Sequence, residues 1–246
     1  MEKVLIVTGA SRGIGAAIAR QAAADGWVVA VNYQRDAAAA AGVVAQIEAV
    51  GGRALAVQAD VARDEDIERL FATVQRELGP VSGLVNNAGI TGGLGSFSAA
   101  DPATLERVFR TNVLGLMQCS RLALAAFRAH GQGGVIVNIS STAATAGSPN
   151  EYVGYAASKA AVDTFTMGLG KEVAAEGIRV CGVAPGTTQT DIHASSGDAG
   201  RPARVAARIP MLRVGVPEEI AEAAVWLLSP AARYVTGTTL RVSGGA

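Results

Sequence analysis

The chain is poor in the residues that build metal centres, disulfide frameworks and aromatic binding surfaces. Its 246 residues include two cysteines, two histidines and 4% aromatic residues. Cys119 and Cys181 lie in apolar segments without metal-ligand or redox spacing, so we expect two buried thiols. His130 and His193 are too few to form a metal site by themselves. We therefore expect no metal.

Charge of one sign and long apolar runs are also lacking. Basic and acidic residues balance at 21 each, which leaves no net field to attract nucleic acid or an acidic membrane. No apolar run reaches the length of a membrane span. A first strand beginning at residue 3 leaves no room for a signal peptide. We expect no nucleic-acid partner, no membrane association and a cytoplasmic location.

Short apolar segments alternate with helical ones along the whole chain. Strands are predicted near 3–8, 27–32, 53–58, 82–86, 134–139, 178–183 and 238–242. Helices are predicted near 14–25, 37–50, 64–78, 101–128, 152–176 and 217–229. This alternation is typical of βαβ units. It predicts one α/β domain over residues 1–246, a Rossmann-type doubly wound parallel sheet of seven strands with helices on both faces.

A glycine-rich turn joins the first strand to the first helix, with the sequence Thr8-Gly-Ala-Ser-Arg-Gly-Ile-Gly15. Glycines let a backbone approach phosphates closely, and a helix N-terminus offers unpaired N–H groups. We interpret the turn as the pyrophosphate cradle of a dinucleotide site. Its spacing, G-x-x-x-G-x-G, differs from the usual G-x-G-x-x-G fingerprint, and a simple tight turn is the alternative.

Tyr155 and Lys159 lie four residues apart in a predicted helix and therefore share a face. A cation beside a phenol lowers its pKa from about 10 toward the range of efficient acid–base catalysis. Tyr152 has no lysine four residues on. Ser140 and Ser141 point to opposite sides of an extended segment, so one of them can hold a substrate oxygen. The set predicts a carbonyl/alcohol redox site.

These motifs follow the order found in the short-chain dehydrogenase/reductase family, which the chain resembles over nearly its whole length. Asn86-Asn-Ala-Gly89, Asn112 and Pro185-Gly186 complete the resemblance. The chain is most similar to 3-oxoacyl-carrier-protein-reductase-like and glucose-dehydrogenase-like members. The resemblance implies an NAD(P)-dependent oxidoreductase that interconverts a ketone and a secondary alcohol. It also implies a homotetramer, built on the helix containing Ala156 and on the C-terminal segment 234–245.

The resemblance assigns four catalytic residues. Tyr155 is the general acid in reduction and the base in oxidation, and Lys159 lowers its pKa and binds the nicotinamide ribose. Ser141, rather than Ser140, orients the reacting oxygen. Asn112 holds a water that links Lys159 to solvent, and an asparagine merely tolerated by its helix is the alternative. The segment 145–153 is one residue longer than expected, and Glu151 and Tyr152 border the substrate pocket.

The implied cofactor contacts follow several strand ends. Asp60 and Val61 bind the adenine edge, although Asp60 also suits a helix cap. Asn86 lies on the ribose side, and Pro185 to Thr190 anchors the carboxamide. The full predicted set comprises Gly9, Ser11, Arg12, Gly13, Ile14, Gly15, Asn32, Tyr33, Gln34, Arg35, Asp60, Val61, Asn87, Ala88, Gly89, Tyr155, Lys159, Pro185, Gly186, Thr188 and Thr190.

The end of the second strand favours NADP(H) over NAD(H). An acidic residue there would bind the ribose 2′-hydroxyl of NAD, and Asn32 and Tyr33 occupy the expected places. Arg12 and Arg35 flank the site, and a guanidinium can clamp a phosphate. A solvated Arg35 on the surface is the alternative. Asp36 is expected to cap the following helix.

The segment 187–212 is polar, glycine-rich and long, which is typical of lids and binding loops. We interpret it as the substrate loop, with a simple connection as the alternative. The substrate is a small molecule that contacts 92–99, 142–152 and 187–212, and nothing in these loops specifies it. An NAD-linked sugar or alcohol dehydrogenase is a rival of the same fold. A non-enzymatic dinucleotide sensor is disfavoured because Tyr155 and Lys159 are both present.

Overall fold

The computed structural model describes residues 2–191, 197–198 and 200–246. Seven parallel strands form one sheet in the order β3-β2-β1-β4-β5-β6-β7. The strands are β1 (Lys3–Val7), β2 (Trp27–Tyr33), β3 (Ala54–Gln58), β4 (Val81–Asn86), β5 (Gly134–Ile139), β6 (Ile178–Pro185) and β7 (Thr238–Val242). The helices in the described part are α1 (Gly13–Ala24), α2 (Ala37–Glu48), α3 (Asp64–Glu77), α4 (Pro102–Phe109), α5 (Leu116–His130), α6 (Ala143–Ala146), α7 (Val153–Glu172), α8 (Arg201–Ala206) and α9 (Pro217–Leu228).

Two apolar cores cover the two faces of the sheet. Successive side chains of a strand point to opposite faces. Accordingly Leu5 and Val7 of β1 pack with α1, α2 and α9, whereas Val4 and Ile6 pack with α3 and α5. All four side chains are fully buried. Strands buried on both faces explain why these segments are continuous apolar runs rather than alternating ones.

The strand order reverses between β1 and β4, which are neighbours in the sheet although two strands separate them in sequence. In open parallel sheets such a switch point opens a crevice at the carboxyl ends of the strands, where ligands bind. The glycine-rich turn after β1 and the segment after β4 therefore meet at one rim. The predicted α/β class, the seven parallel strands and their order along the chain are confirmed.

The structure corrects three predicted elements. The helix predicted over 101–128 is two helices, α4 and α5, joined by a π-helical turn at Arg110–Gly115. The predicted helix at 152–176 ends as an α-helix at Glu172 and continues as a 3-10 turn at Ala174–Glu176. Two short helices, α6 and α8, lie in segments predicted as loops. Local propensity misses these because tertiary packing decides such short turns.

The predictions for Asp36 and for the two cysteines are confirmed. Asp36 caps α2 by accepting a hydrogen bond from the Ala39 amide at 2.9 Å. Cys119 and Cys181 are buried free thiols, and burial raises the pKa of Cys119 to about 12.

Across the described ranges no helix is long and apolar enough to cross a membrane. The same residues contain no group of histidines, cysteines and carboxylates that would hold a metal ion.

Candidate active site and cofactor crevice

The glycine-rich turn makes a cradle lined by backbone. Gly9 and Gly13 have φ angles of +62° and +56°, a region that favours glycine. A Cβ on Gly15 would lie 2.4 Å from the Asn87 amide nitrogen, so only glycine fits there. Arg12 precedes α1, and its side chain does not cap the helix. The first N–H groups of α1 therefore remain available to an anion. The cradle fits a pyrophosphate.

Asn87 and Thr8 hold this turn against the end of β4. The Asn87 amide group donates to the carbonyls of Thr8 and Gly9 at 2.9 and 3.0 Å. The Thr8 hydroxyl oxygen accepts from the backbone amides of Asn87 and Ala88 at 2.9 and 3.1 Å. The side chain of Asn87 therefore shapes the cradle from behind, and its contact with the cofactor stays a prediction.

The side chains of Asn32 and Asn86 are hydrogen-bonded inside the protein. Asn32 is buried; its oxygen accepts from the Gly9 amide at 3.1 Å, and its nitrogen donates to the carbonyl of Ala59 at 3.1 Å. The Asn86 amide donates to Ser120 and Asn138 inside the protein. Both side chains point into the fold, and their amides are hydrogen-bonded there, as buried polar groups must be. They hold the strand ends together, and the contacts of these two residues with the cofactor stay predictions.

The adenosine end of the crevice has two arginines without side-chain partners among the described residues. Arg12 and Arg35 are exposed and make none of the hydrogen bonds or ion pairs found there. Between β2 and β3, Gln34 donates to an Asp60 carboxylate oxygen at 2.7 Å. The other oxygen of Asp60 accepts from the amide of Ala62 at 2.9 Å, in the turn before α3. The residue that precedes α3 is Arg63, so the alternative of Asp60 as a helix cap is wrong. Tyr33 is partly exposed at the same rim.

The segment after β6 covers the glycine-rich turn. Thr188 is buried and donates to the Gly186 carbonyl at 3.1 Å. The methyl group of Thr190 lies 3.4 Å from the place that a Cβ on Gly13 would take. The Pro185 carbonyl accepts from the amide of Thr142 at 2.9 Å. This segment therefore connects the cradle to the strand end that carries Ser141, as an anchor for the nicotinamide end requires.

Lys159 is the most unusual side chain of the crevice, because it is a buried amine. Only 4% of it is exposed, and its Nζ donates to the Ile139 carbonyl at the end of β5 at 2.7 Å. The same nitrogen lies 5.7 Å from the centroid of the Tyr155 ring. Burial lowers the pKa of Lys159 to about 8, against a smaller opposing effect of the Asp163 carboxylate. The amine can therefore exchange protons near neutral pH.

The prediction of a lowered pKa for Tyr155 is wrong. Burial raises the pKa of the phenol above its ordinary value, because a charged phenolate loses solvation there. A hydrogen bond from Ser141 and the positive charge of Arg201 act in the opposite direction, and neither outweighs burial. Tyr155 is thus held as a neutral phenol, the form that donates a proton.

The two adjacent serines separate as predicted. The Ser140 hydroxyl is buried and donates to the Lys159 carbonyl within α7 at 3.3 Å. Ser141 is partly exposed, hydrogen-bonds Tyr155 through its side chain and accepts from the Ala143 amide at 3.1 Å. The hydroxyl of Ser141 is therefore the one that shares the crevice with the phenol.

Asn112 lies in the π-helical turn at the start of α5 and is fully buried. Its amide donates to the Ile90 carbonyl at 2.9 Å and to Ser158 at 3.0 Å, and its oxygen accepts from the Ile90 amide at 2.9 Å. Both amide protons are therefore used by the protein. The side chain clamps the segment after β4 against α7. This role rejects the alternative that the helix merely tolerates Asn112.

A second charged group at the mouth of the crevice was not predicted. Arg201 of α8 donates to the Glu151 carboxylate at 2.5 Å and to the Thr187 hydroxyl at 3.3 Å. Its guanidinium lies 5.5 Å from the centroid of the Tyr152 ring. Glu151 and Tyr152 were expected at the pocket border, but nothing near Arg201 in sequence signals a partner 50 residues away.

Comparisons with known proteins agree with this geometry. Residues 9–246 match the family model described as enoyl-(acyl carrier protein) reductase. The chain is 47% identical to the Escherichia coli K12 protein named uncharacterized oxidoreductase YgfF, over 98% of this chain and 99% of that one. It is 40% identical to the Synechocystis 3-oxoacyl-[acyl-carrier-protein] reductase, over 99% and 96%. A dehydrogenase/reductase structure from Sinorhizobium meliloti 1021 superposes with a TM-score of 0.91 at 37% identity, covering 99% of this chain and 94% of that one.

The chain belongs to the short-chain dehydrogenase/reductase family and is an oxidoreductase similar to 3-oxoacyl-carrier-protein reductases. Membership implies a nicotinamide dinucleotide as the hydride carrier. The cradle at Gly9 to Gly15 and the uncapped start of α1 fit the pyrophosphate of such a cofactor.

The buried amine predicts how stability depends on pH. The pKa of Lys159 is about 8 in the folded protein and near its ordinary 10.5 when unfolded. Between these values the unfolded chain binds more protons, so the free energy of unfolding rises with pH by about 3 kcal/mol. The variant Lys159→Met lacks this gain, while all other titrating groups are shared.

Urea unfolding of both proteins from about pH 7 to pH 11 measures the effect. The stability of the unmodified protein minus that of Lys159→Met should increase through this range. A difference that stays constant or decreases would show that the amine is solvated in the folded protein.

Proposed function

We propose that this protein is an NADP(H)-dependent oxidoreductase that interconverts a ketone and a secondary alcohol, with Tyr155 as the general acid and base. The observation that carries the proposal is the buried Lys159 amine beside Tyr155, at the rim where the cradle and Ser141 also lie. The bound nicotinamide ring supplies or accepts the hydride at the carbonyl carbon. Everything else in the reaction falls to the side chains of this chain.

The side chains divide the work on the substrate oxygen. Ser141 donates a hydrogen bond that orients the ketone oxygen and stabilises the negative charge that develops on it. Tyr155 gives its phenolic proton to that oxygen as the carbon gains the hydride, so one C–H and one O–H bond form. In oxidation the Tyr155 phenolate takes the proton back. The neutral phenol favoured by burial is ready for reduction.

Lys159 supports the proton transfer in two ways. Its positive charge stabilises the phenolate that forms when Tyr155 has given up its proton. Because its pKa is about 8, it can then return a proton to that phenolate. Asn112 holds the Ile90 segment, which forms the wall beside Lys159. We assign Asn112 to keeping open the path by which Lys159 regains its proton from water.

The preference for NADP(H) is supported by the unneutralised charge near the end of β2. Arg12 and Arg35 have no acidic partner among the described residues, whereas Arg20 in the same helix as the cradle pairs with Glu218 at 3.3 Å. A 2′-phosphate would supply the missing anion and accept paired hydrogen bonds. The Gln34 side chain also engages Asp60, which reduces the repulsion that its carboxylate would exert.

We also propose that the molecule is a homotetramer. Large apolar side chains remain exposed on one chain, including Phe109 and Leu114 beside α5 and Trp226 and Leu240 on α9 and β7. Exposed apolar side chains are typical of subunit interfaces where they form one patch. The segment 187–212, within which residues 192–196 and 199 lie outside the described part, is proposed to form the substrate loop of a single 1–246 domain.

Replacing the proton donor tests the mechanism. Tyr155→Phe removes one hydroxyl and should lower kcat for ketone reduction by at least about 1,000-fold, because both the acid and its hydrogen bond to oxygen are lost. NADPH affinity should change less than about threefold, as measured by cofactor fluorescence. Tyr152→Phe is the matched control and should retain most of the activity. Full activity of Tyr155→Phe would reject the assignment.

Replacing Arg12 tests the choice of cofactor. Arg12→Ala should weaken NADPH binding about 10- to 100-fold and NADH binding less than about threefold, because only NADPH carries the phosphate. Fluorescence titration with each cofactor measures both constants. Arg76→Ala, an exposed arginine paired with Glu77, is the control. Equal weakening of the two cofactors would show that Arg12 does not read the phosphate.

A further inference from the structure

Arg201 contacts several walls of the crevice at once. It begins α8, yet its guanidinium donates to Glu151 in the segment before α7 and to Thr187 in the segment after β6. Only 17% of its side chain is exposed. The cation is therefore held in one place between the strand end proposed for the nicotinamide and the helix that carries Tyr155.

The Tyr152 ring packs against both the Arg201 guanidinium and the ring of Tyr155, the proposed acid. The Arg201 guanidinium lies 5.5 Å from the centroid of the Tyr152 ring. Tyr152 in turn packs edge-on against Tyr155, with 6.3 Å between ring centroids and an angle of 71°. The charge of Arg201 also lowers the pKa of the Tyr155 phenol, against the larger effect of burial. Arg201 therefore borders the space in which a ketone must lie to meet Tyr155.

One N–H group of the Arg201 guanidinium has no hydrogen-bond acceptor among the described residues. This group is Nε, which is buried, and it is the one such side-chain atom in that part of the chain. A buried N–H without an acceptor is costly, and folded proteins seldom leave one. A donor of this kind at a binding crevice is typical of a site that a ligand oxygen completes.

We propose that Arg201 determines specificity by donating from Nε to a second, neutral oxygen of the substrate, a carbonyl or hydroxyl several bonds from the reacting ketone. The inference rests on the proposed ketone reduction and names its substrate class. Glu151 already neutralises the guanidinium, so an uncharged acceptor fits better than a carboxylate. A plain ketone would leave the donor unpaired, and sites that lack one expected hydrogen bond discriminate strongly.

Paired substrates test this inference. Each plain ketone is compared with an analogue of similar size that carries one more neutral oxygen: cyclohexanone with cyclohexanedione, decalone with decalindione, and methyl butyl ketone with ethyl acetoacetate. The unmodified protein should favour the oxygen-rich member of at least one pair in kcat/KM by about 10- to 100-fold. Arg201→Gln should abolish that preference, mainly by raising KM for the oxygen-rich member.

Two further variants separate recognition from folding. Arg201→Lys keeps the positive charge but lacks Nε, and it should also lose the preference, measured as the ratio of kcat/KM within each pair. Arg204→Gln is the matched control, because Arg204 lies on the same helix and pairs with Asp198 at the surface. It should keep the preference. NADPH titration of each variant confirms that the cofactor crevice is intact.

The outcomes are distinguishable. Reduction of plain and oxygen-rich ketones at equal efficiency by the unmodified protein would overturn the role of Arg201 and leave the proposed function standing. Equal losses on both members of every pair in Arg201→Gln and Arg201→Lys would also overturn it, since a purely structural contact predicts that result. Reduction of no ketone by the unmodified protein would overturn the proposed function and this inference together.

Discussion

The placement of one buried amine determines the arrangement of the crevice. Lys159 is held inside the protein by the Ile139 carbonyl at the end of β5, which accepts a hydrogen bond from Nζ at 2.7 Å. That bond fixes the face of α7 that meets the sheet, and with it the position of Tyr155 one helical turn earlier. Burial of the amine costs stability, as its lowered pKa shows. The proton relay that we propose requires an amine whose pKa lies near neutrality, and burial of Lys159 provides it.

Asparagines and glycines support this arrangement by joining strand ends that belong to different βα units. Asn32 ties β2 and β3 to the cradle, Asn87 ties the cradle to β4, and Asn112 ties β4 to α7. The amides of Asn32 and Asn112 both donate and accept, and that of Asn87 donates twice. Gly15 allows this close approach, because any larger residue would meet Asn87. The surface of the cradle is consequently held in place by side chains from several βα units.

Local patterns predict most of the fold and the catalytic group, and long-range contacts account for what they miss. The spacing of Tyr155 and Lys159 predicts a shared face because four residues make about one helical turn. The internal hydrogen bonds of Asn32 and Asn86 could not be predicted, because the direction of a side chain at a strand end depends on the register with neighbouring strands. Arg201 could not be assigned, because its partner Glu151 lies 50 residues away and a short helix, α8, brings the two together.

The central claim is that hydride passes between a nicotinamide ring and a ketone carbon in this crevice while Tyr155 supplies the proton. Reaction of the protein with NADPH carrying deuterium at both C4 positions, followed by mass spectrometry of the alcohol formed from a ketone panel, tests it most directly. The account predicts one deuterium on the carbinol carbon and an exchangeable proton on its oxygen. Alcohol without deuterium on carbon, or no alcohol from any ketone, would contradict it.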